Sequence, residues 1–313
     1  MSGAQRANVD VMILAFNEEL NLPHALKSVQ GWARRVFVVD SGSTDRTHEI
    51  AREHGAEVVD RPWLGYSRQK NWALENIPFE SDWILILDAD EAISPELRDE
   101  IQELVSREVG SVEESGFYLN RLFYFLGKPI RHCGYFPSWN LRLFKRGRAR
   151  YEDRSVHEHM IVDGPAGRLK KLMLHEDRRG LEHFIAKHNR YSTLEARELL
   201  HGPRDNRVSA DQLERSLRLR RWLKYKVLPR LPLAGVWRFL YMYIVRLGFL
   251  DGVTGVRFCQ LLATYDTFIS LKLAELRSEQ NQAKTDDQTA PRSGLAVPEG
   301  ERVDEHGSAT ERA

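Results

Sequence analysis

Residues 83–91 read WILILDADE, an uninterrupted apolar run that ends in two carboxylates, Asp88 and Asp90, with one residue between them. A short run rich in Ile and Leu between polar flanks predicts a strand buried on both faces. Open α/β sheets bind their ligands beyond the carboxyl ends of their strands, which is where the two aspartates fall. In extended backbone, side chains two apart point the same way, so both carboxylates can face one hard cation and the diphosphate it would bridge. The same letters also fit a strand end followed by an acidic, solvated turn, and the neighbouring segments have to decide.

Working outward, Val9 to Phe16 (VDVMILAF) predicts a strand with Asn17, Glu18 and Glu19 at its carboxyl edge, and Asn21 is placed to cap the following helix. Arg35 to Asp40 (RVFVVD) predicts a second buried strand, broken by SGSTDRT, with Ser43 or Thr44 to cap a helix running to about His54. Ala56 to Val59 predicts a third strand and Lys70 to Ile77 a helix. Strand and helix in alternation predict a parallel, Rossmann-like layer. Glu18, Asp40, Asp88 and Asp90 would converge on its carboxyl edge, where like charges are costly unless a cation or a hydrogen-bonding ligand offsets them. That convergence favours a nucleotide sugar: one carboxylate accepting from a base N–H, others from ribose hydroxyls, and the last holding a metal.

Ser94 and Pro95 open a helix with Leu97, Ile101, Leu104 and Val105 on one face, and Gly116 to Arg121 resumes a strand. Residues 123–139 read as an aromatic loop with a partly apolar wall, and Leu141 to Phe144 with the basic RGRARY as a hairpin. Val156 to Met160 (VHEHM) predicts a strand with Glu158 facing away from His157 and His159, which makes Glu158 a candidate general base. No HExxH or cysteine cluster completes a zinc site around the two histidines. His175 ends another apolar run, where a surface histidine and a metal or phosphate contact are both open.

From about Leu181 the pattern turns helical. Residues 207–230 hold eight Arg or Lys against two acids, and the apolar stretch 231–250 is interrupted at Arg238 and Arg246. Its uncharged pieces fall short of the roughly 20 residues of a spanning helix, so the expectation is an amphipathic region lying on an anionic membrane, with a buried helical subdomain as the alternative. A last helix from Gly252 to about Leu276 is followed by residues 279–313, poor in apolar groups and expected to be disordered. The expected division is therefore 1–205, 206–278 and 279–313.

The chain has 313 residues, 42% hydrophobic, and a formal net charge of +1, which argues against a general nucleic-acid binder. Cys133 and Cys259 alone build no disulfide framework, and no apolar leader follows the N-terminus, so the expected location is cytoplasmic. Neither GxGxxG nor a Walker loop occurs. A haloacid-dehalogenase-like phosphatase, which also ends a strand in D-x-D, wants Thr or Val where residue 92 is Ala. An EF-hand loop wants Gly at Ile93. A membrane-surface protein that binds a nucleotide sugar without turnover is the non-enzymatic alternative.

AFNEE at 15–19, VVDSGSTDRT at 38–47, QKNWAL at 69–74 and LDADE at 87–91 together resemble glycosyltransferase family 2, with its GT-A fold. WNLRLFKRG at 139–147, VHE at 156–158 and LGFLDGVTGV at 247–256 make the chain similar to the lipopolysaccharide-core β-glycosyltransferases of that family. The resemblance implies inverting, Mg²⁺- or Mn²⁺-dependent transfer of one sugar, usually from a UDP-sugar, to a lipid-linked or core saccharide at the inner face of the cytoplasmic membrane. It implies nucleotide-sugar contacts from Ala15, Asn17, Glu18, Asp40, Ser41, Lys70 and Asp88, with the base at Asp40 and the ribose near Glu18. It also implies a metal at Asp90, with Asp88 at the ribose or a metal-bound water; His175 stays a further metal candidate from its place at a strand end alone. The catalytic base is commonly an acid of an ED-type motif, for which Glu158 is the nearest match and Asp153 the reserve.

Overall fold

The computed structural model describes residues 6–152, 160–201 and 233–289. Its first half is a parallel layer: β1 (Ala7–Ala15), α1 (Leu22–Val29), β2 (Ala33–Asp40), α2 (Thr47–Glu53), β3 (Glu57–Asp60), α3 (Tyr66–Asn76) and β4 (Trp83–Asp88). β1 lies between β2 and β4, with Val11 opposite Val36 on one side and Leu85 on the other. Alternate residues of these strands feed different cores. Val11, Ile13, Leu85 and Leu87 pack with Leu22 and Leu26 of α1, whereas Met12, Ile84 and Ile86 pack with Ala73 and Ile77 on the other face. A strand covered on both faces has no polar positions to spare, which is why 83–87 is continuously apolar.

The second half completes the sheet with mixed directions. β5 (Glu91–Ile93), α4 (Pro95–Val105), β6 (Gly116–Phe125), β7 (Lys128–Pro129), β8 (Trp139–Lys145), β9 (Ala149–Tyr151), β10 (Met160–Val162) and β11 (Ala166–His175) follow. The order across the sheet is β3-β2-β1-β4-β8-β6-β11-β5, with β7 paired to β6. β8 runs antiparallel to both β4 and β6, β11 is parallel to β6, and β5 is antiparallel to β11.

Four local expectations change. The hairpin expected between 141–144 and 146–151 does not form: β8 belongs to the main sheet, where Leu143 opposes Leu85, and β9 pairs with β10 instead. Asn21 stands at the start of α1 but makes no cap bond, because its side chain is engaged elsewhere, and α2 starts at Thr47, because Ser43 is bound to Asp40. Ser94 does cap α4, accepting from the Leu97 amide at 3.2 Å. The strand beginning at Gly116 also runs on through Phe125, into the stretch read as loop.

α5 (Gly180–His201) and α6 (Ala234–Leu240), a short π-helical turn (Tyr241–Val245), a 3₁₀ turn (Gly248–Asp251) and α7 (Gly252–Thr289) make the helical part. α7 extends eleven residues into the stretch expected to be disordered; Glu, Gln, Ala and Lys there are all good helix formers. Residues 290–313 and the basic stretch up to 232 lie outside the described residues, as do Asp153 and His157, Glu158 and His159. These helices join the sheet through Phe123, Phe125, Ile130, Cys133, Met242, Phe258 and Cys259. Glycine is required at the contact: a Cβ on Gly255 would stand 2.1 Å from the Gly248 carbonyl oxygen, and one on Gly235 2.4 Å from that of Ala263. Asp251 fastens the same junction by accepting from the amides of Arg131 and His132 at 3.2 and 2.8 Å.

Candidate active site

The carboxyl edge of the parallel layer is built from two interlocked loops. Asn17, in the left-handed region at φ 54° that Asn tolerates, donates its amide to Ser43 Oγ at 2.8 Å and accepts from the Thr44 amide at 2.8 Å. The Glu18 amide donates to Thr47 Oγ1 at 2.9 Å, and the Ser41 amide to the Ala15 carbonyl at 3.1 Å. The NEE and DSGST segments therefore hold each other.

Asp40 is fully buried at the end of β2 and accepts from the Gly42 and Ser43 amides at 2.8 and 2.7 Å, and from the Ser43 hydroxyl. Burial alone would raise its carboxyl; the Ser43 and His48 contacts prevail and hold it below the usual range. His48 Nε2 lies 2.8 Å from Asp40 and 3.1 Å from Asp60, at the end of β3. These three groups can hold an ion, since their ligand atoms lie within 4.8 Å of one another. Asp40, however, already has its donors. Beside them the fully buried Gln69 donates to Ser41 Oγ and to the Arg61 carbonyl, while its own Oε1 is buried with no partner among the described residues.

Asp88 and Asp90 have different surroundings. Arg142, 7% exposed on β8, places Nη2 2.6 Å from both Asp88 Oδ2 and Glu91 Oε1. The Glu91 side chain is fully buried, accepts the Asp88 amide at 3.0 Å and is reached by Arg121 at 3.3 Å. Lys70 Nζ stands 3.8 Å from Asp88 Oδ1 and over the Tyr151 ring. Burial would push the Asp88 carboxyl up; Arg142 and Lys70 outweigh it and hold it far below the carboxylate range. Asp90 meets His175 instead, Oδ2 to Nε2 at 3.2 Å. There too the effect of burial is overcome, by His175, and the carboxyl is held low.

A further acid-base group closes the edge. Arg179 donates through Nε and Nη2 to Asp177 at 2.8 and 2.7 Å and through Nη1 to Glu18 at 2.7 Å, while Asn21 donates to both acids. Asp177 takes two of the guanidinium's donors and its carboxyl is held low; burial prevails at Glu18, whose carboxyl is pushed up to about 7 against the pull of Arg179 and Asn21. An acid at 4.5 in the unfolded chain and about 7 when folded binds more protons in the folded state between those values. Its contribution to stability is therefore present below 4.5 and lost as pH rises through 7. Glu18→Gln should flatten that dependence, gaining up to about 3 kcal/mol on the wild type between about pH 5 and pH 8. Thermal unfolding across this range checks it; parallel curves for the two proteins would contradict it.

Asp90 and His175 would be the pair to hold a divalent ion at the end of β4, a carboxylate oxygen and an imidazole nitrogen 3.2 Å apart. Among the described residues His175 Nδ1 is buried with no hydrogen-bond partner, and the one polar side chain its ring meets there is Asp90. Asp88 is occupied by Arg142 and is placed to assist only indirectly. The structure thus brings together Glu18, Lys70, Asp88, Asp90 and His175, with Ala15, Asn17, Asp40 and Ser41 further along the same edge. Glu158 and Asp153 lie outside the described residues.

Arg142, Glu91, Arg121, Asp177 and Arg179 are additions to the sequence reading. Arg142 carries the one available signal, a charge inside the otherwise apolar run Leu141–Phe144. The profile of glycosyl transferase family 2 matches residues 10–162, which contain most of this edge. The lipopolysaccharide core biosynthesis glycosyltransferase LpsC of Rhizobium meliloti (strain 1021) is 32% identical over 200 residues, 60% of this chain and 70% of that protein. The chain belongs to glycosyltransferase family 2. Its mixed α/β sheet with a C-terminal helical region is the GT-A architecture of that family. An uncharacterized glycosyltransferase of Rickettsia typhi, RT0209, is 29% identical over 61% of this chain and 68% of its own. Among solved structures, glucosyl-3-phosphoglycerate synthase from Mycobacterium tuberculosis, in complex with Mn²⁺, UDP and glucosyl-3-phosphoglycerate, is 19% identical over 64% of this chain and 82% of its own, with a TM-score of 0.38. Residues 1–349 of S. aureus TarS are 14% identical over 88% and 91%, with a TM-score of 0.42. Superpositions this loose say nothing of the substrate of this family 2 member.

Proposed function

We propose that this family 2 member transfers a single sugar, with inversion, from a nucleoside diphosphate sugar of the uridine series to a lipid-linked or lipopolysaccharide-core saccharide. The observation that carries the reading is the division of labour at the end of β4, where Asp88 is held by Arg142 and Lys70 while Asp90 is left to His175. The similarity to a lipopolysaccharide core glycosyltransferase supports the acceptor class. An Mg²⁺ or Mn²⁺ ion held by Asp90 and His175 would offset the charge of the diphosphate and of the leaving group. Asp40, buried and already supplied with donors, holds the Gly42–Ser43 turn that would receive the base, rather than accepting from the base itself, and Glu18 accepts from the ribose. Asp88, fixed by Arg142, orients the ribose end of the donor, and Lys70 adds a positive charge beside the phosphates.

Inversion is a single displacement in which the acceptor hydroxyl loses its proton as it attacks the anomeric carbon, so a base is needed opposite the leaving group. Glu158 is assigned that role by its motif, with Asp153 in reserve. Glu158→Gln should lower kcat about 10²-fold or more with donor KM nearly unchanged. Near-normal kcat there and a large loss in Asp153→Asn would move the role to Asp153. The overall reading is tested by acceptor-free hydrolysis of a panel of nucleotide sugars. Slow UDP release that stops in EDTA supports it; no release from any donor, with or without bacterial lipid extract, overturns it.

A further inference from the structure

Eleven of the twenty-one large hydrophobic side chains exposed among the described residues fall within positions 233–253. Exposed apolar groups scattered singly are ordinary on a protein surface, but a concentration of this kind marks a contact. Trp237, Tyr241, Ile244 and Val245 follow a helical spacing on the outer side, and Leu250 and Val253 continue the patch past the bend. Val245 and Val253 are each 67% exposed. The inner side of the same element is equally apolar, with Met242 fully buried against the cluster that contains Phe258 and Phe123. A helical element that is apolar on its packed side and on its open side lacks the polar face of a helix at a water surface.

We propose that residues 233–253 form a wedge that inserts into the outer few ångströms of a lipid bilayer. Three features favour lipid over a protein partner. No single described helix is long and apolar enough to cross a membrane, and Ala234–Val245 and Gly248–Ala283 meet at a bend of 77°, a shape suited to shallow insertion rather than spanning. Trp237 and Tyr241 are the side chains that settle at the boundary of headgroups and acyl chains. The adjoining residues 207–230 supply eight cations against two acids, complementary to anionic headgroups. Arg238 is partly matched by Asp266 at 3.7 Å, so the headgroup charge falls to that adjoining stretch.

This deepens the proposed function and rests on it for its purpose, since a lipid-linked acceptor must be met at a bilayer. The inner side of the wedge leads to the site. Phe258 lies 5.4 Å from the Phe123 ring, whose centroid is 5.2 Å from that of His175, beside Asp90. Insertion would therefore set the Asp90–His175 edge close to the lipid surface. The expected binding mode also differs from simple adsorption of a basic segment: it is apolar, and salt does not undo it.

Flotation of the full chain with liposomes tests this without donor or acceptor, so failure here is distinct from failure of the catalytic reading. The protein should float with phosphatidylcholine vesicles, more completely when phosphatidylglycerol is included, and should remain bound in high salt. Val245→Asp/Leu250→Asp/Val253→Asp should cut the bound fraction about tenfold or more, while Leu271→Asp, an exposed site on α7 outside the wedge, should leave it unchanged. Thermal unfolding checks that the triple variant is folded, and single Val253→Asp, expected to act in the same direction, serves if it is not. Wild type that stays unbound overturns the proposal. Binding confined to anionic vesicles and abolished by salt would assign the contact to residues 207–230 instead. A dimer in light scattering that the triple variant dissociates would assign the face to a second copy of the chain.

Discussion

Asp90→Asn is expected to reduce sugar transfer by about 10³-fold or more and to abolish the part of UDP binding that depends on Mg²⁺ or Mn²⁺. The substitution keeps the size of the side chain and one carbonyl oxygen but removes the charge that a hard cation requires. The fold should survive, because Asp90 ends a loop between β4 and β5 and, among the described residues, its one side-chain partner is His175 at the rim of the sheet. Asp40→Ala should act differently, weakening nucleotide binding equally with and without metal. Titration calorimetry with UDP, in Mn²⁺ and in EDTA, separates the two. Full activity of the wild type in EDTA, or unchanged Mn²⁺-dependent binding in Asp90→Asn, would remove the metal from this position.

Arg142→Gln should have the largest effect on stability and should weaken donor binding as well. The guanidinium is shared by Glu91, which is fully buried, and by Asp88, whose side chain is 38% exposed. Losing it leaves Glu91, among the described residues, with the Asp88 amide and one cation, Arg121, and Asp88 with Lys70 at 3.8 Å. Breaking one side of a buried ion pair commonly costs about 3–5 kcal/mol, and the partial exposure of Asp88 argues for the lower end, about 3 kcal/mol. Donor KM should rise more than kcat falls, because a released Asp88 still carries its charge but no longer its direction. Arg142→Lys, which keeps the charge without the fork, should recover part of the stability and less of the donor affinity. Combining Arg142→Gln with Glu91→Gln should restore stability without restoring donor KM. Urea unfolding and donor kinetics read the two effects; a loss below about 1 kcal/mol with unchanged KM would mean that the pair is incidental.

The parallel layer was readable because each of its buried strands must be apolar on both faces, and a run such as Val36–Val39 has no other economical use. The acidic ends were readable for the converse reason, since Asp40, Asp88 and Asp90 interrupt those runs at the point where the sheet stops. Nothing local marked the antiparallel half. β8 looks like one arm of a hairpin because 141–144 and 149–151 both suit strands with a turn between them, yet Leu143 finds its partner in Leu85. The partners of the site residues were hidden by separation along the chain: Asn21 meets Asp177, and Glu18 meets Arg179, across more than 150 residues. His175 stayed open in the sequence because a histidine at a strand end reads the same whether it faces water or a carboxylate. Only the pairing of β11 with β5 decides it.

That pairing also forms late in synthesis. β1 to β4 are complete by residue 88 and can assemble while the chain is still leaving the ribosome, but β5 finds Met173–His175 only after the rest of the sheet has been made. At about 5–20 residues per second the delay between the emergence of Ile93 and of His175 is roughly 4–16 s. Throughout that interval the nascent chain carries Asp90 without the histidine that completes its corner. An unfinished or prematurely terminated polypeptide thus carries all four strands of the parallel layer and still lacks the Asp90–His175 contact.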